Sequence, residues 1–283
     1  MKIEFLGTAG ALVTPRPGCE CAICEEAREK GVPYSRSGPS VFVHGPELLI
    51  DTPEESAMQL NRARIMAVPH AIYSHWHPDH VLGRRVFEMN FDWDHWPPQN
   101  RVSNIYLPEQ VAADFRERLG SWEQFTYLEE KGLVRIHVLA DGESVVLNNT
   151  RIMPFRLAAA YVYAFLLEED GKRVLIAPDE LVGWVPPAFV QGVDLAVIPM
   201  GVTEFNPLTG ERHIPAGHPI LKVEATFRQT LKMVEQLEAG TVVMTHIEEA
   251  DRLGYGDLCD LEERLLRDGY NIRFAYDTLV VKV

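Results

Sequence analysis

The segment "AIYSHWHPDHVLG", residues 71–83, constrains this chain more than any other. It puts three histidines and one aspartate into six consecutive positions of a sequence that has only ten histidines. The apolar run before it reads as a buried strand, and "HVLGRRVFEMN" after it reads as a helix over 80–90. The cluster therefore falls on a strand-to-helix loop, where side chains leaving the end of a sheet converge. His75 and His77 alternate along an extended segment and can reach one ion. Asp79 and His80 lie on the following turn and can reach a second. Imidazole with carboxylate suits zinc, and also manganese or iron. A polar turn with unrelated histidines is the bland alternative, and the H-x-H-x-D-H spacing argues against it.

Strand-like runs recur from "KIEFLG" to "IRFAY" and "LVVKV", bounded by Gly, Pro or Asp. Helical spacing appears over 53–64, 80–90, 108–119, 220–238 and 257–268, the fourth with Gly240 placed to end it. No repeat, charge run or linker divides the chain, so a single domain over 1–283 is expected. The segment "NFDWDHWPPQN", 90–100, reads as an ordered loop, either plain surface or a flap beside a pocket. The start "MKIEFLGTAGALV" reads as a first strand and turn, not a secretory leader, and no apolar run approaches the roughly 20 residues of a membrane span. The expected compartment is the cytoplasm, without membrane attachment. There the spacing Cys19, Cys21, Cys24 in "PGCECAIC" points to a metal rather than a disulfide, within a Cys-rich zinc-binding loop at about 17–38. A formal net charge of -14 disfavours DNA and makes a large RNA unlikely. It does not exclude a small anionic substrate, because bound cations reverse the potential inside a pocket.

With these residues in view, the chain resembles the metallo-β-lactamase superfamily. Its further landmarks occur in order: Asp51 in "LLIDTPEE", Asp179 in "VLIAPDE" and His246 in "VVMTHIEEA". The resemblance implies an αββα four-layer sandwich with the metals at one edge of the two sheets. It implies that Asp51 orients the metal ligands. One ion would be held by His75, His77 and Asp179, the other by Asp79, His80, His246 and Asp179. The superfamily normally supplies one more histidine before the bridging aspartate. Here that region reads "PFRLAAAYVYAF", with Ala158 or Ala159 at the corresponding place. One or two divalent ions (Zn, or Mn/Fe) are therefore open, and nothing in the spacing brings His70, His95 or His213 into the gap.

Two further features resemble the phosphoribosyl cyclic phosphodiesterase of bacterial phosphonate breakdown and the related ribonuclease Z branch. The three cysteines match that family's structural zinc. Its fourth ligand, a histidine three residues after the last catalytic one, is Glu249 here, leaving Glu249, Asp251, Cys259 or a water open. The segment "RHIPAGHPILKVEAT" matches the part that carries a pocket histidine, which implies that His218 protonates the leaving oxygen. A histidine side chain is chemically suited to such a proton transfer. The expected activity is that of a phosphodiesterase on a small cyclic or nucleotide-like phosphodiester, with Asp79 and His218 in the catalytic set. A lactonase or thioesterase on the same fold, or a catalytically impaired metal- or ligand-binding homologue, are the competing readings. The resemblance also allows a homodimer.

Overall fold

The computed structural model describes residues 1–283. Fourteen strands and seven α-helices follow one another along the chain. They are β1 (Lys2–Gly7), α1 (Ala22–Lys30), β2 (Ser40–His44), β3 (Leu48–Ile50), α2 (Ser56–Ala63), β4 (His70–Ile72), α3 (Pro78–Val81), β5 (Ser103–Pro108), α4 (Glu109–Glu117), α5 (Ser121–Glu130) and β6 (Val134–Leu139). The second half carries β7 (Val145–Leu147), β8 (Thr150–Arg156), β9 (Tyr163–Glu169), β10 (Lys172–Ile176), β11 (Leu195–Pro199), α6 (Phe227–Leu237), β12 (Thr241–Thr245), α7 (Tyr255–Arg267), β13 (Ile272–Phe274) and β14 (Val280–Lys282). Two seven-stranded sheets result, ordered β14-β1-β2-β3-β4-β5-β6 and β13-β12-β11-β10-β9-β8-β7. With helices outside each, this is an αββα sandwich.

Period-two side-chain alternation explains the layering. In β9, Tyr163, Phe165 and Leu167 face the core between the sheets, while Ala164 and Leu166 face the outer core. β10 divides the same way, with Val174 and Ile176 inside and Leu175 outside, under α6 and α7. Strands buried on both faces must be apolar at every position, which is why these runs are continuous in sequence. Within each sheet four neighbouring strands are parallel: β3 to β6 in the first and β10 to β13 in the second. Their carboxyl ends carry the loops that matter below. No helix is long and apolar enough to cross a membrane.

Several expectations are corrected. The helix read over 80–90 is one short α-turn, α3, continued as a 3₁₀ segment over Leu82–Asn90. Gly83 enforces this close packing, since a Cβ there would lie 1.8 Å from the Pro53 carbonyl oxygen. The helix read over 220–238 is broken. A 3₁₀ turn spans Pro219–Lys222, and α6 begins only after Thr226, whose hydroxyl and Gln229 form a reciprocal cap. The chain leaves α6 through Glu238 in the left-handed region, not through Gly240. Two helices, α1 and α5, were not anticipated, and α1 lies inside the Cys-rich segment. In the loop 90–100, Trp93 and Trp96 stand in solvent.

Candidate metal centre

Four loops meet at one edge of the sandwich, each leaving the carboxyl end of a strand. Asp51 follows β3, the cluster His75–His80 follows β4, Asp179 follows β10 and His246 follows β12. The two sheets are joined at this point by the Tyr163 amide, which donates to the Ser74 carbonyl at 3.0 Å. The loop after β3 is tied to α3, with the Thr52 amide donating to the His80 carbonyl at 2.8 Å and the Gly83 amide to the Thr52 carbonyl at 2.9 Å.

Asp51 sets the histidine orientations. Its Oδ2 accepts from His80 Nδ1 at 2.8 Å and from the Ser74 hydroxyl at 2.7 Å, and its Oδ1 accepts from the Ser74 amide at 2.8 Å. Because the Ser74 hydroxyl donates to Asp51, its lone pair faces His75 Nδ1, 3.0 Å away. Both rings thus carry their hydrogen on Nδ1 and turn Nε2 toward the centre. Replacing Asp51 by asparagine should weaken ion binding about 10–100-fold in a chelator competition. Unchanged affinity would remove Asp51 from this role.

The donor atoms then converge. His75 Nε2 lies 3.6 Å from Asp179 Oδ2, and His80 Nε2 lies 3.7 Å from the same oxygen. His246 Nε2 is 3.5 Å from Asp179 Oδ1 and 3.8 Å from Asp79 Oδ2, and His80 Nε2 is 3.4 Å from Asp79 Oδ2. Two groups can each hold a cation, His75–His77–Asp179 and Asp79–His80–His246, with Asp179 between them. The fit to metal is visible in the unpaired atoms: Nε2 of His75, His80 and His246 are all buried with no hydrogen-bond partner. A buried nitrogen left so is costly unless something else occupies its lone pair.

Electrostatics follow the same geometry. Burial and the neighbouring histidines pull His75 well below the ordinary histidine range. Burial also opposes charge on His246, but Asp179, Asp79 and Glu248 outweigh it and push the ring up to about 10. Burial would raise Asp79, yet His80 and His246 hold its carboxyl well below the usual range. Cations entering here displace protons from these rings, so their affinity rises with pH.

His246 also has a steric requirement. A Cβ on Gly10 would lie 2.3 Å from its Cε1, so the "GTAGA" turn needs glycine there. His246, Asp51 and Glu180 are all non-glycine residues in the left-handed region, with φ of 55, 59 and 57°.

The remaining expected residues fall as follows. His218 is exposed and caps the turn at Pro219, its Nδ1 accepting from the Ile220 amide at 3.2 Å. It lines a cavity of ≈ 540 Å³ beside His246, together with Glu224, Glu248 and Arg252. His213, left out of the catalytic set above, lines it too, as do other residues of the loop 201–218. The loop 90–100 does not. Neither His70 nor His95 belongs to a cation-holding group. Glu180 was not anticipated, and its Oε1 stands 3.8 Å from His77 Nδ1. Burial and the charge of Asp179 push its carboxyl up.

The cysteines form a second centre. Of the four candidates for a fourth donor, the fold brings Glu249. Its Oε1 lies 3.3 Å from Sγ of both Cys19 and Cys21, and the four side chains form a group able to hold a cation. Asp251 is instead buried against the Thr203 and Glu248 amides, and Cys259 is exposed on α7. Arg16 Nε donates to Glu249 Oε2 at 3.1 Å, and the Arg16 amide to Cys24 Sγ at 3.2 Å.

Comparison with known proteins agrees with this architecture. Among curated protein sequences none matches significantly. Among solved structures, a diphosphatase of the PhnP family superposes with a TM-score of 0.71 at 22% identity, over 100% of this chain and 97% of its own. Zn(2+)-bound PqqB from Methylobacterium extorquens superposes with 0.72 at 15% identity, over 100% of both chains. A long form RNase Z from yeast gives 0.59 at 14% identity, over 99% of this chain and 41% of that one. These likenesses concern the fold. Residues 46–247 match the sequence profile of the Beta-lactamase superfamily domain, which covers most of the chain and every histidine and aspartate of the centre. The chain therefore belongs to the metallo-β-lactamase superfamily, whose members are mostly metal-dependent hydrolases.

Proposed function

We propose that this protein is a metal-dependent phosphodiesterase acting on a small cyclic or nucleotide-like phosphodiester. The observation that carries the reading is the position of Asp179, with one carboxylate facing the unpaired Nε2 atoms of His75, His80 and His246. His75, His77 and Asp179 would hold one divalent ion, and Asp79, His80, His246 and Asp179 the other. Such a pair, when bound, lowers the pKa of water and neutralises the oxygens of a phosphodiester. Cys19, Cys21, Cys24 and Glu249 would hold a structural zinc.

The chain's own groups supply the rest. Asp79 stays ionised between His80 and His246 and orients the attacking water. His218 would protonate the departing oxygen from Nε2 as the imidazolium, and the neutral ring left behind is the form whose Nδ1 accepts from the Ile220 amide. The cavity that His218 shares with His246 would take the leaving group. Likeness in fold to a diphosphatase of the PhnP family and to an RNase Z supports phosphorus over carbonyl carbon as the reacting centre.

The test is hydrolysis of bis-p-nitrophenyl phosphate with added Mn²⁺ or Zn²⁺. Turnover should fall at least about 100-fold in His77→Ala, since losing a direct ligand costs no less than losing its supporting partner. Absence of metal-dependent turnover on any phosphodiester, or preference for lactones or thioesters in a parallel panel, would overturn the reading.

A further inference from the structure

We infer that Glu180 takes the place of the superfamily's missing histidine and completes the donor set of the ion held by His75, His77 and Asp179. The inference rests on the metal-centre reading above and deepens it.

Three observations point the same way. The first is position. A tetrahedral zinc with bonds of about 2.0–2.1 Å separates its donors by about 3.3 Å. His77 Nδ1 and Glu180 Oε1 lie 3.8 Å apart, and His75 Nε2 and Asp179 Oδ2 lie 3.6 Å apart. Glu180 stands just outside the group His75–His77–Asp179, whose donor atoms lie within 4.8 Å of one another, so its carboxylate, next to His77, would swing toward the ion to complete the set. The second is the loop that lacks the histidine. Ala158 carries no donor, but a Cβ on Gly183 would lie 3.9 Å from the Ala158 Cβ, so the loop after Asp179 packs against that gap. From the same gap-bearing loop, the Tyr161 hydroxyl donates to Glu180 Oε1 at 3.1 Å. The loop that would have supplied the ligand here supplies the hydrogen bond that orients its substitute. The third is charge and backbone. Asp179 and Glu180 are consecutive carboxylates, shielded from solvent, and their only ion-pair partners are His75, His77, His80 and His246. No lysine or arginine balances them. Glu180 also holds a left-handed backbone, as Asp51 and His246 do, a strain that persists where a side chain must be aimed.

With Glu180 included, each ion faces two imidazoles and two carboxylates, Asp179 counting for both. Replacing an imidazole by a carboxylate hardens the donor set and shifts preference from zinc toward manganese or iron.

The experiment reads ion content, independent of catalysis. Wild-type, Glu180→Ala, Glu180→Gln and Glu180→His proteins are stripped with chelator, reloaded with Zn²⁺ and Mn²⁺, desalted and measured by inductively coupled plasma mass spectrometry. Wild type should hold about three ions, Glu180→Ala about two, and Glu180→His about three with a shift toward zinc. Glu180→Gln keeps the shape and the Tyr161 contact, and guards against a folding defect. It should bind the weakest ion at least about tenfold less tightly in chelator competition. Glu180→Ala retaining the wild-type ion count and affinity would overturn the assignment, as would wild type holding only two. Wild type with three ions but no phosphodiester turnover would defeat the phosphodiesterase reading alone and leave the Glu180 assignment standing.

Discussion

Replacing Asp179 by asparagine should remove both ions and lower kcat/KM toward bis-p-nitrophenyl phosphate by at least about 10⁴-fold, equivalent to about 5.5 kcal/mol of transition-state stabilisation. The size follows from the position of one carboxylate. Asp179 Oδ2 stands 3.6 Å from His75 Nε2 and 3.7 Å from His80 Nε2, while Oδ1 stands 3.5 Å from His246 Nε2. No other carboxylate approaches both histidine groups so closely. An amide keeps the shape but gives up the negative charge that two adjacent cations need between them. The same charge helps push His246 up to about 10. Without it, that ring loses one of the acids facing it. Asp179 lies on a loop after β10 and not within a strand, so far-ultraviolet circular dichroism should stay as in wild type. Ion content and turnover should fall together. An Asp179→Asn protein that keeps its ions and more than a tenth of its activity would show that the centre does not depend on a shared carboxylate.

The parts of this site that could be read from sequence are those set by local spacing. His75, His77, Asp79 and His80 lie within one turn of chain, so their convergence needs only a strand followed by a helix. Asp51, Asp179 and His246 are each announced by an apolar run ending in an acid or a histidine, and a parallel sheet brings such ends to one edge. Glu180 had no comparable signal. It follows a residue already assigned, and an acidic pair at a strand end is ordinary in a loop. What distinguishes it is a left-handed backbone and a tyrosine from the Ala158 loop, and both are properties of the folded chain. Glu249 was one of four open choices for the same reason, since its contact with Cys19 spans 230 positions of sequence. The break before α6 was missed on other grounds. Apolar residues at helical spacing continue through 220–226, but Thr226 finds a better partner in the Gln229 amide than a helical backbone offers it. Periodicity reports which face is buried; it does not report where a cap wins.

The second large effect belongs to the cysteine centre. Cys24→Ser should lose one ion per chain and lower the melting temperature by about 10 °C or more, the shift expected when a chain of this size loses a few kcal/mol. Cys24 is fully buried, and serine matches its shape while being a poor zinc ligand. Other contacts here are Arg28 donating to the Arg16 carbonyl at 3.1 Å, Tyr34 packing edge-on against Tyr255 at 5.2 Å, and buried Ala27. Arg16 and Glu249 pair at 3.1 Å, but Arg16 is largely in solvent, and such a pair adds little. The backbone pairing of Thr14 with Arg36 closes the segment, and inside it the Cys21 side chain caps α1 by accepting from the Cys24 amide. Glu249 sits three residues beyond His246, and Glu248 Oε1 accepts from the Leu12 amide at 3.2 Å. The cysteine centre thus anchors the very loop that presents His246. Turnover should fall with stability in Cys24→Ser, yet recover partly at low temperature, where the loop reseats. In Asp179→Asn it should not recover at any temperature. Chelator added to wild type should bring its melting temperature down to or below that of Cys24→Ser, since it empties the paired centre as well, and limited proteolysis should then cut within 16–31. A Cys24→Ser protein with wild-type ion content and melting temperature would mean that these three cysteines hold no structural metal.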